Sequence, residues 1–137
     1  MLTVGFHEER EDRWVLDLRG ASVTGIGVGF PFGPALDAGW EIVLEAPVSL
    51  SYGTVHAGPS VVLKPRSQDI ASAYALFGAK VLSAIAFKSG TLRLVFDTGH
   101  HLTCPPDRSE AWRVTGPAGS RVTSLPGGGL AVRTARE

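Results

Sequence analysis

The sequence predicts a mainly β fold. Two related β-meanders and a set of C-terminal strands curl into a sandwich or open barrel, with one α-helix over about 67–77 packed against it. Three observations predict this. Short runs that alternate apolar and polar residues recur along the chain, the period of a half-buried strand. Turns rich in Gly and Pro separate those runs at the spacing of all-β architectures. The chain also resembles itself: Leu18, Gly20 and Val23 match Leu76, Gly78 and Val81, and Asp37, Gly39 and Ile42 match Asp97, Gly99 and Leu102. The offset drifts by two residues between the halves of this internal repeat (18–44 and 76–102), which one change in loop length explains.

Taken in order, HEEREDR (7–13) reads as a solvated lead-in or turn. Trp14, Leu16 and Leu18 then alternate with Val15, Asp17 and Arg19, which marks a strand ended by Gly20. Val23 to Ile26 begins another extended piece. GIGVGFPFGP (25–34) contains GxGxG, but Pro31 and Pro34 follow it with no helical pattern behind them. A dinucleotide loop needs a helix N-terminus facing the pyrophosphate, so the segment reads as an irregular, bulged loop. Trp40, Ile42 and Leu44 face one way, and Glu41, Val43 and Glu45 the other. Pro47 ends that strand, and VSLSY (48–52) alternates again as an edge or neighbouring strand. Residues 53–66 are turn-rich and carry the least readable signal.

The helix is predicted from Ser67 as N-cap, Asp69 in the first turn and Gly78 at the C-terminal αL position. Ile70, Ala73, Tyr74 and Phe77 recur at i, i+3, i+4 and i+7 as its apolar face. Val81 to Phe87 is almost wholly apolar, as in a strand buried on both faces. Lys88-Ser89-Gly90 and Asp97-Thr98-Gly99 are turns on either side of the alternating strand Leu92 to Phe96, and His101 to Cys104 is the next strand. Trp112 to Thr115, Arg121 to Leu125 and Leu130 to Arg133 are the final strands, separated by GPAGS and PGGG turns, before a frayed tail.

The 137 residues predict a single domain, with 44% hydrophobic and 19% charged residues placing it among globular chains. Thirteen basic residues balance thirteen acidic ones, so no global field draws in nucleic acid or an anionic membrane. Cys104 is the only cysteine, which excludes an intrachain disulfide and favours a reducing compartment. The N-terminus lacks a basic region followed by an apolar run, and no apolar segment reaches the ~18 residues of a membrane span. The expectation is a cytoplasmic protein.

The LRGASV and LFGAKV openings, the SGTLRLVFDTG hairpin, Glu110-Ala111-Trp112 and PGGGLAV (126–132) together resemble a family of small, uncharacterised bacterial proteins, frequent in actinobacteria and known only as a domain of unknown function. The resemblance runs from about Trp14 to Val132, and Arg133 stands where the family usually places a tryptophan. It implies no catalytic residues. Small proteins of this general kind include immunity partners of secreted toxins, an analogy that the resemblance brings with it.

The chemistry-bearing residues divide between structural and functional readings. His100 and Cys104 share a strand face but lie ~13 Å apart along it, too far for one ion with ~2.0–2.3 Å bonds, and His101 points the other way. Cys104, His101 and Asp97 supply the residue types of nucleophilic catalysis without any nucleophile-elbow or Cys-His spacing. Asp37 and Asp97 each precede x-Gly, where aspartate is favoured for local backbone hydrogen bonding. Glu110 and Trp112, two apart on one strand, would form a binding hot spot if the indole were exposed; the packing reading sets Trp112 in the core and pairs Glu110 with an arginine.

The sequence therefore predicts no cofactor, metal or catalytic residue. The expected function is a non-enzymatic interaction protein, in one form an immunity-like protein that occludes a toxin, with a protein partner or a homodimer formed by pairing of sheet edges. The alternative is a small-ligand binder or enzyme using a pocket at the sheet or barrel mouth. The candidate interaction residues are Trp40, Glu41, His100, His101, Glu110 and Trp112.

Overall fold

A computed structural model describes residues 7–27, 32–53, 60–65 and 71–133. The fold is a sandwich of two antiparallel sheets, mainly β as the alternating runs predict, and it does not close into a barrel. The strands are β1 (His7–Glu9), β2 (Arg13–Leu16), β3 (Val23–Gly27), β4 (Gly33–Leu36), β5 (Glu41–Leu44), β6 (Val48–Tyr52), β7 (Ser60–Leu63), β8 (Val81–Phe87), β9 (Leu92–Phe96), β10 (His100–Cys104), β11 (Trp112–Thr115), β12 (Arg121–Ser124) and β13 (Leu130–Arg133). The first sheet has the order β1-β2-β8-β9-β10-β6-β7 and the second β13-β12-β11-β5-β4-β3. Each sheet thus holds one meander, β8-β9-β10 or β3-β4-β5. The strands that follow each meander cross to the other sheet: β6 pairs with β10, and β11 pairs with β5.

Register explains the core. In the first sheet Leu50, Leu102, Leu94 and Ala84 align across β6, β10, β9 and β8 as one buried row. The neighbouring row, Ser51, His101, Val95 and Ser83, is half-buried on the outer face. In the second sheet Ile42, Val114 and Val122 form the matching buried row. Trp112 is the largest fully buried side chain, and its indole N–H donates to Gly90 O at 2.9 Å, so burial of the ring leaves no polar group unpaired.

The two meanders meet through matched contacts. Ser22 and Lys80 form an antiparallel bridge. Around it Val23 N–H donates to Ala79 O (2.8 Å) and Val81 N–H to Ala21 O (2.8 Å), while Gly20 N–H donates to Val81 O (2.8 Å) and Gly78 N–H to Val23 O (2.9 Å). Leu18–Ala21 and Leu76–Ala79 are equivalent turns, each closed by a 3.0 Å bond from its last N–H to its first carbonyl. Their third residues, Gly20 and Gly78, have φ of 89° and 84°, a conformation that glycine adopts without strain. Asp37 Oδ1 accepts the Ser22 N–H and Asp97 Oδ1 the Lys80 N–H, both at 2.9 Å. The reading of these aspartates as local turn formers is corrected here: each carboxylate reaches across to the junction between the meanders, 15 or 17 residues away.

Other readings also change. The charged run 7–13 is not simply a lead-in: it supplies β1 and the start of β2, held on the sheet by a Lys88 Nζ–Glu9 Oε2 bond of 2.6 Å. β8 is buried on one face only; Leu82 is exposed and Ile85 and Phe87 are half-buried, because nothing described covers the outer face of the first sheet. The unreadable 53–66 segment contains β7. The middle of the 25–34 loop lies outside the described residues; its ends belong to β3 and β4.

The predicted α-helix is described only from Ala71 to Leu76, and there it is a 3-10 helix; Ser67, Asp69 and Ile70 lie outside the described residues. With three residues per turn, Ala73 and Leu76 fall on one face and are buried, whereas Tyr74 and Phe77, expected on the apolar face of a 3.6-residue helix, turn outward.

Candidate functional site

The six residues singled out by the sequence do not converge. Glu41 lies on the outer face of the second sheet, and His100 and His101 belong to the first. Trp112 is 0% exposed, so the packing reading of the Glu110/Trp112 pair is the one the geometry gives, and Glu110 meets Arg113 Nη1 at 3.4 Å. That guanidinium also reaches Glu45 at 3.7 Å, tying β11 to the end of β5. His100 Nδ1 and Thr98 Oγ1 are 2.7 Å apart, and the His100 ring meets Tyr52 edge-on with centroids 5.0 Å apart. His101 stands on the outer face of β10 with its Nδ1 buried and without a hydrogen-bond partner among the described residues.

Trp40 is 7% exposed and occupies the register position opposite Gly116. A Cβ at Gly116 would lie 2.6 Å from the Trp40 ring, so only glycine lets the indole settle there. Beside it opens a cleft of about 400 Å³ lined by Asp17, Leu18, Arg19, Gly20, Ala21, Asp37 and Trp40. The Leu18–Ala21 turn forms one wall and the Asp37–Trp40 segment the other.

A second surface was not foreseen from sequence. Among the described residues, the exposed large hydrophobics are Tyr52, Val61, Val62, Tyr74, Phe77, Leu82 and Leu125. Four of them lie on two neighbouring elements: Val61 (43%) and Val62 (50%), consecutive on β7 and so on its opposite faces, Tyr74 (57%) in the 3-10 helix and Phe77 (64%) just after it. The helix packs against both β7 and β3, so it bridges an edge of each sheet. β7 pairs with β6 alone and leaves its other edge unpaired among the described strands. The i, i+3 spacing of Tyr74 and Phe77 could have signalled this exposed face had the segment been read at three residues per turn.

The remaining reactive group is Cys104. Burial first, and the nearby Asp107 second, push its thiol up to about 12, which keeps it neutral. Among the described residues no three His, Cys, Asp or Glu side chains are grouped to hold a metal ion, and no helix is long and apolar enough to cross a membrane. The sequence profile of one family, described as a family of unknown function, matches residues 14–134. No curated protein and no solved structure matches the chain.

Proposed function

The chain belongs to the family of unknown function DUF6188, and we propose that it serves as a non-enzymatic interaction domain that binds a protein partner along β7 and the 3-10 helix. The carrying observation is the exposure of Val61, Val62, Tyr74 and Phe77 on and beside β7, an edge strand whose only strand partner among the described residues is β6. Exposed apolar side chains at a free edge invite an added strand, whose backbone supplies hydrogen bonds while the side chains supply burial. The disposition of the reactive groups supports a binding rather than a chemical role: the Cys104 thiol is buried and neutral, and Asp37 and Asp97 are engaged in the junction between the meanders.

A narrower form of the reading makes the partner a toxin that the domain occludes. The balance of thirteen acids and thirteen bases speaks against an inhibitor that mimics nucleic acid with an acidic face, and favours a partner bound through apolar contact. Affinity capture from native lysate with the wild-type chain and with Val62→Lys tests the proposal. One protein retained at stoichiometric amount by the wild type and lost from the folded variant is the expected result. Identical capture by both chains would defeat it, and a dimer dispersed by the same substitution in sedimentation velocity would make the partner a second copy.

A further inference from the structure

The junction between the meanders presents two equivalent sites whose backbones match and whose outward side chains do not. Where the first turn has Asp17 and Arg19 around buried Leu18, the second has Ala75 and Phe77 around buried Leu76. Where the first site has Trp40 over Gly116, the second has His100 against Tyr52. The first turn therefore carries charges, Asp17 and Arg19, where the second carries Ala75 and the exposed Phe77. We propose that the cleft between the Leu18–Ala21 turn and the Asp37–Trp40 segment binds a small zwitterion of the α-amino acid class, its ammonium held by Asp17 and Asp37 and its carboxylate by Arg19.

The charges on the rim dictate this class. Asp17, Asp37 and Arg19 are all exposed, and no salt bridge among the described residues joins Arg19 to either acid. Asp37 lines the cleft and accepts one backbone N–H through Oδ1, so its second oxygen is not used by that bond. A guanidinium offers a planar fork to a carboxylate, and an ammonium offers three donors to carboxylates, so a ligand bearing both groups answers both signs at once. A purely cationic ligand would leave Arg19 opposed, and a purely anionic one would meet two carboxylates. Trp40 and Ala21 give the cleft an apolar floor for a side chain, and its volume of about 400 Å³ lies within the range of small-molecule sites.

The test is calorimetric titration with L-phenylalanine, its methyl ester (ammonium only) and its N-acetyl derivative (carboxylate only). The zwitterion is expected to bind at least tenfold more tightly than either analogue. Asp17→Asn should weaken the zwitterion and the ester about tenfold and spare the N-acetyl derivative. Arg19→Gln should weaken the zwitterion and the N-acetyl derivative and spare the ester. Both side chains are exposed, and circular dichroism of the variants is the check that they keep the fold. Absence of saturable zwitterion binding, equal binding of the ester, or an affinity unchanged in both variants would overturn the proposal.

Discussion

Ser124→Ala is the perturbation whose cost the structure fixes most directly. Ser124 is fully buried, and its Oγ accepts the Ala111 N–H at 2.8 Å and the Trp112 N–H at 3.2 Å. Ala111 and Trp112 are themselves fully buried, so removal of the hydroxyl strands two backbone donors where bulk water does not reach. A buried donor left unpaired costs about 1–3 kcal/mol, and because the second bond is long the pair should cost about 2–4 kcal/mol. Unfolding entropy of about 2.1 cal/mol/K per residue gives roughly 0.29 kcal/mol/K for this chain, so the melting temperature should fall by about 7–14 °C. Ser120→Ala supplies the control. Ser120 is also buried, but its hydroxyl donates (2.7 Å) to Pro117 O, which keeps the Ser120 N–H bond at 3.2 Å when the hydroxyl is lost. Its cost should stay near 1 kcal/mol. Urea denaturation of both variants, with unchanged slopes, measures the difference. A Ser124→Ala loss no larger than that of Ser120→Ala would refute the reasoning that unpaired donors, rather than lost hydroxyls, set the cost.

The other predictions concern the thiol, the junction and the cleft. Cys104 ionises near its ordinary value of 9.0 when unfolded and at about 12 when folded, so above pH 9 the unfolded chain binds fewer protons. Stability should therefore fall as pH rises from about 9 towards 12, by up to ~1.4 kcal/mol per unit, and Cys104→Ala should lose that slope in pH-dependent denaturation. Asp37→Ala and Asp97→Ala each remove the acceptor of one junction N–H in an exposed setting, and both should cost about 1 kcal/mol by chemical denaturation. A cost confined to one of them would show that the two junction sites are not mechanically equivalent. Gly116→Ala should displace the Trp40 ring, lower stability by about 1–3 kcal/mol and shift tryptophan emission; unchanged emission would contradict the close approach.

What the sequence revealed and what it concealed follow from how far each signal reaches along the chain. Strand β9 was legible because Leu92, Leu94 and Phe96 alternate with Arg93 and Val95 within five residues, and the outer face is still polar enough to keep the period visible. β7 was not, because an edge strand with Val61 and Val62 both exposed has no alternation to read. Tyr74 and Phe77 were misassigned because the difference between three and 3.6 residues per turn is set by tertiary contacts with β3 and β7, not by local propensity. The Asp37 and Asp97 carboxylates looked local because their true partners, the Ser22 and Lys80 amides, become neighbours only when β3 pairs with β4 and β8 with β9, at the place where the two meanders meet.

That meeting also sorts the residues of the two meanders into two kinds. Leu18 and Leu76, Gly20 and Gly78, Ala21 and Ala79, Val23 and Val81, Asp37 and Asp97 make the same contacts at both sites, and the geometry of the junction demands them. Asp17, Arg19 and Trp40 occupy the positions of Ala75, Phe77 and His100, where the same backbone permits different side chains. Architecture constrains the first set and leaves the second free. The cleft sets Asp17, Arg19 and Trp40 of the free set on a frame of Leu18, Gly20, Ala21 and Asp37 from the constrained one, and exposed Phe77 is likewise of the free set, so the pattern that identified the fold pointed to neither surface.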